Sequence, residues 1–487
     1  MSRGPLSRRS RTALAMAGAA VLAGCAVGPN YKRPEVPAPP NHRGLEGPAV
    51  AESMADVPWW QVFDDPVLQG LIREAIAANY DLKTASARVV EARAVAGIAK
   101  SQLFPQVGFT TGYTAQEVSR SSEPPQTLTS QRTYQNWNLG FTLSWELDLF
   151  GGIRRQKESA LAAYLGSEEG RRGVLITLVG DVASTYFSLR ELDLELEIAQ
   201  RTLGLNEETV AFYTKRLKGG VSNRLELDQA EANRALTAAT IPDIERQIVL
   251  TENGLSVLLG RLPGPIARGA ALSDQHFPPA VPAGLPATLL ERRPDVVQAE
   301  DFLVSSNADV GAAKALFFPS ISLTGLLGGV SHDLSNIVKS SGTVWSLGGG
   351  LFQPIFQGGR IKRNYEAAKA RFDQALAQYQ KAALNGYSEV ADSLVTIEKL
   401  RGVRAEQEKG VVALRDASQL ARVRYDSGLS NYLEILIADQ SLFQQELQLA
   451  RTRGAEFVAL AQLYRALGGG WQPETPTPEP ASSVPIP

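Results

Sequence analysis

Few residues of this chain are placed to do covalent or metal chemistry. The three histidines, His42, His276 and His332, are far apart and sit in loop-like or strand-edge settings. That spacing builds no metal cluster. Cys25 is the only cysteine, so no disulfide forms within the chain. The "GGG" at 348–350 lies inside a strand pattern rather than ahead of a helix, which excludes a phosphate loop. With no nucleophile beside a base, no enzyme activity and no cofactor are expected. What remains is Cys25 and two acids in matching places. "GGVSNRLELDQAEA" begins at Gly219 and "SGLSNYLEILIADQ" begins at Ser427. Each runs Gly, a bulky apolar residue, Ser and Asn, with an acid three residues after the Asn, Glu226 or Glu434. In the first turn of a helix such a carboxylate offsets the helix dipole or lies on a solvated face.

Cys25 has an informative setting. Arg3, Arg8, Arg9 and Arg11 precede an apolar run from Ala13 to Ala23, then Gly24. The run is far short of the ~20 residues that span a bilayer, so residues 1–24 read as a secretory signal. The tetrad Leu22, Ala23, Gly24, Cys25 resembles a bacterial lipobox, in which the thiol and the new N-terminus are acylated. Each buried CH₂ adds ~0.8 kcal/mol, so several acyl chains anchor firmly. Ala26 follows, not the Asp associated with inner-membrane retention, which by the same resemblance points to the outer membrane. Without residues 1–24 the charge is 45 basic against 51 acidic, about −6. No basic run suits nucleic acid. The segment 25–64 opens Pro-rich and is expected to be extended, without a core of its own.

The elements around these residues come twice. "AKSQLFPQVGFTTGY" from Ala99 matches "AKALFFPSISLTGLL" from Ala313, 214 residues on. "DLFGGIRRQ" from Asp148 matches "IFQGGRIKR" from Ile355, 207 on, and the two turns lie 208 apart. Three ordered matches at nearly one offset mean an internal two-fold tandem repeat, 65–283 and 284–470, followed by a tail at 471–487 expected to be disordered. In "NWNLGFTLSWELDL" the apolar residues alternate without a break from Trp137 to Leu149. That is a period-2 strand longer than the usual 5–6 residues and long enough to cross a membrane at a tilt. Strands are predicted at 106–118, 136–149, 319–330 and 342–354. Pro-free stretches from Arg155 to Leu217 and from Arg360 to Tyr425 carry apolar residues at 3–4 spacing and predict helices of roughly 95–100 Å with coiled-coil packing. Pro242 is expected to kink or break its helix. Arg292, Arg293, Pro294 and Asp295 read as ordinary helix-start chemistry.

The fold class is therefore mixed, mainly α: a long α-helical coiled-coil barrel plus four membrane strands per chain. Four strands cannot close a barrel, and lipid does not tolerate open edges. Two chains would give eight strands, whose interior fills with side chains; three give a 12-stranded β-barrel wide enough for a lumen. A trimer is expected.

The ordered set "CAVGPNYKRPEVP", "WWQVFDDPVLQGLI", "AKSQLFPQVG", "LDLFGG", "ERRPDV", "AKALFFPSISL", "GGR" and the two Gly-turns resembles the TolC-like outer-membrane factor family, in its NodT/OprM-like lipoprotein branch. The resemblance covers residues 25–470. It implies a homotrimeric exit duct in the outer membrane that reaches into the periplasm. Its partners would be outer-membrane lipid, a periplasmic membrane-fusion adaptor and an inner-membrane pump, with the resistance-nodulation-division type favoured. Small molecules such as drugs would be the cargo. By position in the family motif, Gly219, Gly220, Val221, Ser222, Gly428, Leu429 and Ser430 would form the adaptor-docking tips. Glu226, Asp228, Tyr425, Glu434, Leu436 and Ile437 would form the periplasmic aperture. In a trimer Glu226 and Glu434 would make rings of three carboxylates that favour cations. Some relatives carry Arg at the position of Ser430 and an acid at that of Ile437, so an apolar constriction at Leu436 and Ile437 competes with a salt-bridged gate. Two other readings stay open at this point: a type I protein-secretion duct, and a lipid-anchored periplasmic coiled-coil scaffold without a channel.

Overall fold

A computed structural model describes residues 26–43, 53–117, 133–275, 282–284 and 286–469. The signal segment, Cys25, His276 and the tail lie outside them. The described residues contain seven helices of 13 residues or more: α1 Pro66–Ala78, α2 Tyr80–Ser101, α3 Gly152–Lys218, α4 Arg224–Leu258, α5 Pro294–Ala315, α6 Arg360–Asp426 and α7 Tyr432–Ala466. They contain four strands: β1 Gln106–Glu117, β2 Thr133–Leu147, β3 Ser320–Ser331 and β4 Thr343–Phe352. The duplication is visible in the lengths. α2 and α5 have 22 residues, α3 and α6 have 67, and α4 and α7 have 35. At 1.5 Å per residue, 67 residues make about 100 Å of helix. No described helix is long and apolar enough to cross a membrane.

Neither compact unit of the fold is a sequence copy; each draws on both. One contains Arg88–Ser167 and Ala299–Tyr379, with the chain up to Pro34. The other contains Glu35–Ala87, Glu168–Gln298 and the chain from Gln380 on.

In the first unit the strands form one antiparallel sheet in the order β1-β2-β3-β4. The β1 register pairs Phe109 with Phe141 and Tyr113 with Trp137. Their rings lie 5.3 and 4.6 Å apart, which is the cross-strand aromatic pairing that stabilises a sheet. β2 joins copy one to copy two, with Leu147 opposite Ile321 and Trp137 opposite Ser331. Trp345 faces Leu327 across β3 and β4. Odd positions thus make an apolar face across all four strands. Even positions are mostly small or polar, among them Gly108, Thr110, Thr142, Ser144, Ser322 and Thr324, with Leu326, Val330, Val344 and Phe352 as apolar exceptions on β3 and β4. β2 starts three residues before the expected 136 and ends at Leu147 rather than 149, because Leu149, Phe150 and the positive-φ Gly151 already turn the chain toward α3.

The Pro-rich segment after Cys25 is extended, and its first residues are strapped to this unit; the end of the expected extended stretch 25–64 is instead folded, with short helices at Met54–Asp56 and Trp59–Val62 and buried Trp59 and Phe63. Val27 N donates to Phe150 O at 3.0 Å, Arg155 donates to Asn30 Oδ1 at 2.7 Å, and Asn307 donates to Pro29 O at 3.1 Å. Ala26 lies on Gly151, where an added Cβ would meet its Cα at 2.6 Å. The first residues after the lipidation candidate are therefore held where β2 passes into α3.

The second unit holds the main core. Val182, Tyr186, Leu189, Leu68, Ile72, Leu255, Leu460 and Leu463 are fully buried there. α1 enters on Asp65, which caps Val67 N and Leu68 N and also accepts from Tyr186 Oη at 2.8 Å and Gln275 Nε2 at 2.8 Å. α4 runs through Pro242 without a break, so of the expected kink or break the break does not occur. Losing one N–H is local, and packing of Ile244, Ile248 and Leu255 over the next turns keeps the helix together. Some charged positions of α3 and α7 are buried rather than solvated. Glu195, Glu446 and Glu456 are buried and accept from Arg451 (2.6 Å), from Arg201 and Arg415 (2.5 and 2.9 Å) and from Arg404 (3.0 Å). Each of these arginines reaches across to a carboxylate on a neighbouring helix.

Candidate functional site

The two Gly-turns close the hairpins α3–α4 and α6–α7. Their backbones make the same hydrogen bonds. At the first, Gly220 N donates to Leu217 O (3.0 Å) and Val221 N to Arg216 O (3.0 Å). At the second, Gly428 N donates to Tyr425 O (2.9 Å) and Leu429 N to Arg424 O (2.8 Å). This is the Schellman ending, which needs a left-handed residue just past the helix. Gly220 and Gly428 supply it at φ 73° and 74°. No atom lies within 4 Å of a Cβ built at either position, so conformation and not space demands glycine. Gly219 has ordinary φ, and its counterpart is Ser427, so the backbone does not require it. Val221 is 65% exposed and Leu429 70%, two apolar side chains standing out where a turn accepts any polar residue.

The acids after the turns are wired differently. Asn223 caps α4 by accepting from Glu226 N at 3.0 Å, and Ser222 Oγ donates to the Glu226 carboxylate. Asn431 makes no side-chain cap; Glu434 N donates to its backbone carbonyl instead, at 3.3 Å. The Glu434 carboxylate pairs with Arg424 of the preceding helix at 3.4 Å. Ser430, the counterpart of Ser222, has a buried Oγ with no partner among the described residues. Asp228 pairs with Arg224 at 3.6 Å, and both are well exposed, a geometry worth little.

Behind the turns lies an aromatic cluster that sequence reasoning missed. Buried Tyr213 of α3 packs against Tyr432 at 4.5 Å and Tyr425 at 6.0 Å, among Ala230, Ala421 and Ile435. Burial, with the nearby Asp439 charge, pushes the Tyr432 phenol up to about 12. Arg216 sits over the rings of Phe212 and Tyr425, 5.4 Å from each. Tyr425 thus belongs mainly to this cluster. Leu436 packs on it too, while Ile437 points out at 55% exposure. The two residues assigned together to an apolar constriction therefore face differently within one chain. Asp439 accepts from Ser418 (2.5 Å) and Arg422 (2.6 Å), and burial still pushes its carboxyl above the ordinary range. Only the recurrence of tyrosine near both turns signals this cluster in the sequence. Among the described residues no group of three acids, histidines or cysteines could hold a metal.

The family model for "Outer membrane efflux protein" matches residues 71–261 and 285–469. The chain belongs to that family. It is 34% identical to the cation efflux system protein CusC of Escherichia coli O6:H1 over 458 residues, covering 93% of this chain and 97% of that one. It is 33% identical to the toluene efflux pump outer membrane protein TtgC of Pseudomonas putida, covering 96% and 97%. Among solved structures the outer-membrane channel OprN matches with a TM-score of 0.84 at 31% identity, covering 92% of this chain and all of that one. The chain has the mainly helical fold of these channels, with four strands per chain. It is an exit duct for efflux in the outer membrane, extending into the periplasm. The family is one of channels rather than enzymes.

Proposed function

We propose that three copies of this chain form the exit duct of a tripartite pump and pass small molecules such as drugs across the outer membrane. The observation that carries the reading is the four-stranded sheet with an apolar face, whose β1 and β4 edges are unpaired among the described residues. Three copies give twelve strands and a lumen, and leave no edge in lipid. The apolar odd positions face lipid and the mostly small or polar even positions line the passage. Acyl chains on Cys25 hold the strap at the start of α3 against the bilayer.

The turns are the docking tips. Three copies present six of them, each offering Val221 with Gly220 and Ser222, or Leu429 with Gly428 and Ser430, to a periplasmic adaptor that leads to an inner-membrane pump of the resistance-nodulation-division type. Glu226 and Glu434 form carboxylate rings at the entrance, with Asp228 beside them, and Ile437 supplies the apolar narrowing. Leu436 and Tyr425 hold the tip from behind. The names of CusC and TtgC specify a cation and toluene, two unlike cargoes on ducts of similar identity to this one. That difference favours a tube that accepts what its pump delivers.

The test is conductance. Purified protein should have the mass of three chains and open discrete channels in a planar bilayer. A helical monomer without conductance rejects the duct.

A further inference from the structure

The outer edges of the sheet repeat the seam already formed inside it. β2 ends copy one's strand pair and β3 begins copy two's, and they pair antiparallel with Leu147 opposite Ile321. Just beyond the last pair, Phe150 stacks on Phe318, with ring centroids 4.9 Å apart and 20° between the planes. A residue following one strand thus caps the seam against a residue preceding the next.

The duplication places the same parts at the free edges. β4 ends copy two's strand pair and β1 begins copy one's. "LF" at 149–150 corresponds to "IF" at 355–356, and "LFPQ" at 103–106 to "FFPS" at 317–320. An offset of 206 between β2 and β4 keeps every side chain on its face: Leu139 with Trp345, Phe141 with Leu347, Trp145 with Leu351. Gln357 is then a one-residue insertion before the glycine pair. β1 and β3 match at an offset of 214, Phe109 with Leu323 and Tyr113 with Leu327. In the sheet β1 and β4 run in opposite directions, so β4 of one copy meets β1 of the next antiparallel, like β2 and β3.

Carrying the inner register across both offsets sets the outer one. Leu351 falls opposite Phe109 and Leu347 opposite Tyr113, apolar face on apolar face. Thr343 falls opposite Glu117 and Phe352 opposite Gly108, so all of β4 pairs within β1 without overhang. Phe356 then falls opposite Phe104, as Phe150 does opposite Phe318. Both are open in the single chain: Phe356 is 89% exposed and Phe104 56%. We infer that Phe356 of one copy packs on Phe104 of the next, and that this contact fixes the register in which three copies close the barrel. The inference rests on the trimeric duct proposed above.

Paired cysteines test it. Within one chain β1 and β4 are three strand spacings apart, roughly 14 Å, beyond the ~7 Å between Cα atoms that a disulfide spans. A bond between them must join two copies. Phe104→Cys with Phe356→Cys should give covalent dimers and trimers on a denaturing, non-reducing gel after mild oxidation, and neither single variant should. Phe109→Cys with Leu351→Cys reads the same register at other residues, should the first pair impair assembly. Particles of three-chain mass that cross-link through neither pair overturn the contact and leave the duct standing. A wild-type protein that never exceeds one chain in mass overturns the duct and the seam together.

Discussion

The turn at Gly220 and the turn at Gly428 share a backbone and differ in their charges. Both end a 67-residue helix with the same two hydrogen bonds and a left-handed glycine. At the first the acid is tied by a serine of its own turn; at the second it is tied by an arginine ten residues earlier in the chain. Duplication kept what the hairpin needs in order to reverse and let the surroundings of the carboxylate diverge. If both tips serve one docking surface, the shared part carries docking and the divergent part sets the electrical character of the entrance.

The largest effect should come from attacking the shared part at both tips. Gly220→Asp together with Gly428→Asp puts six new charges on the proposed docking ring. Drug tolerance should fall to that of cells lacking the protein while oligomers still assemble on a native gel. Normal tolerance would remove docking from these turns.

The divergent part answers to ion selectivity. Arg424→Ala strips the cation from Glu434, so three bare carboxylates should raise cation preference in bilayer recordings. Ser222→Ala changes no charge and should shift it much less. Glu226→Ala with Glu434→Ala should lower cation preference, and unchanged selectivity in that variant would reject the rings outright.

Smaller effects separate the two caps. Asn223→Ala removes a real cap and should cost about 1 kcal/mol of stability in urea unfolding. Asn431→Ala removes no side-chain bond and should stay within about 0.5 kcal/mol. Equal losses would mean that the difference in capping has no energetic weight. Last, Gly220→Ala should cost about 1–2 kcal/mol for a left-handed non-glycine. Gly219→Ser, with ordinary φ, should be nearly neutral by the same measurement. A neutral Gly220→Ala would break the claim that conformation selects that glycine.

Much of the architecture was legible because it repeats or alternates. The run from Trp137 to Leu149 shows a strand, since side chains of a strand alternate faces. Pro-free stretches with 3–4 spacing show the two long helices. The tip motif shows the two turns, because only a few residue types fit a left-handed helix end. The pairing of charges was not legible. Glu195 lies 256 residues from Arg451 in the chain, and nothing local marks it as buried. Pro242 shows the opposite limit: of the kink or break that a local rule allows, the break does not occur, because the packing of its helix outweighs one missing hydrogen bond.

The sequence by itself determined the period of each element, the doubling of the fold and the turn glycines, because each follows from local sterics or from comparing one half of the chain with the other. The tertiary structure alone decided that Leu436 packs inward and Ile437 outward, that Glu226 and Glu434 have different partners, and that the two compact units cut across the two copies. Those outcomes depend on which surfaces meet when distant segments pack, and one-dimensional spacing carries no record of that.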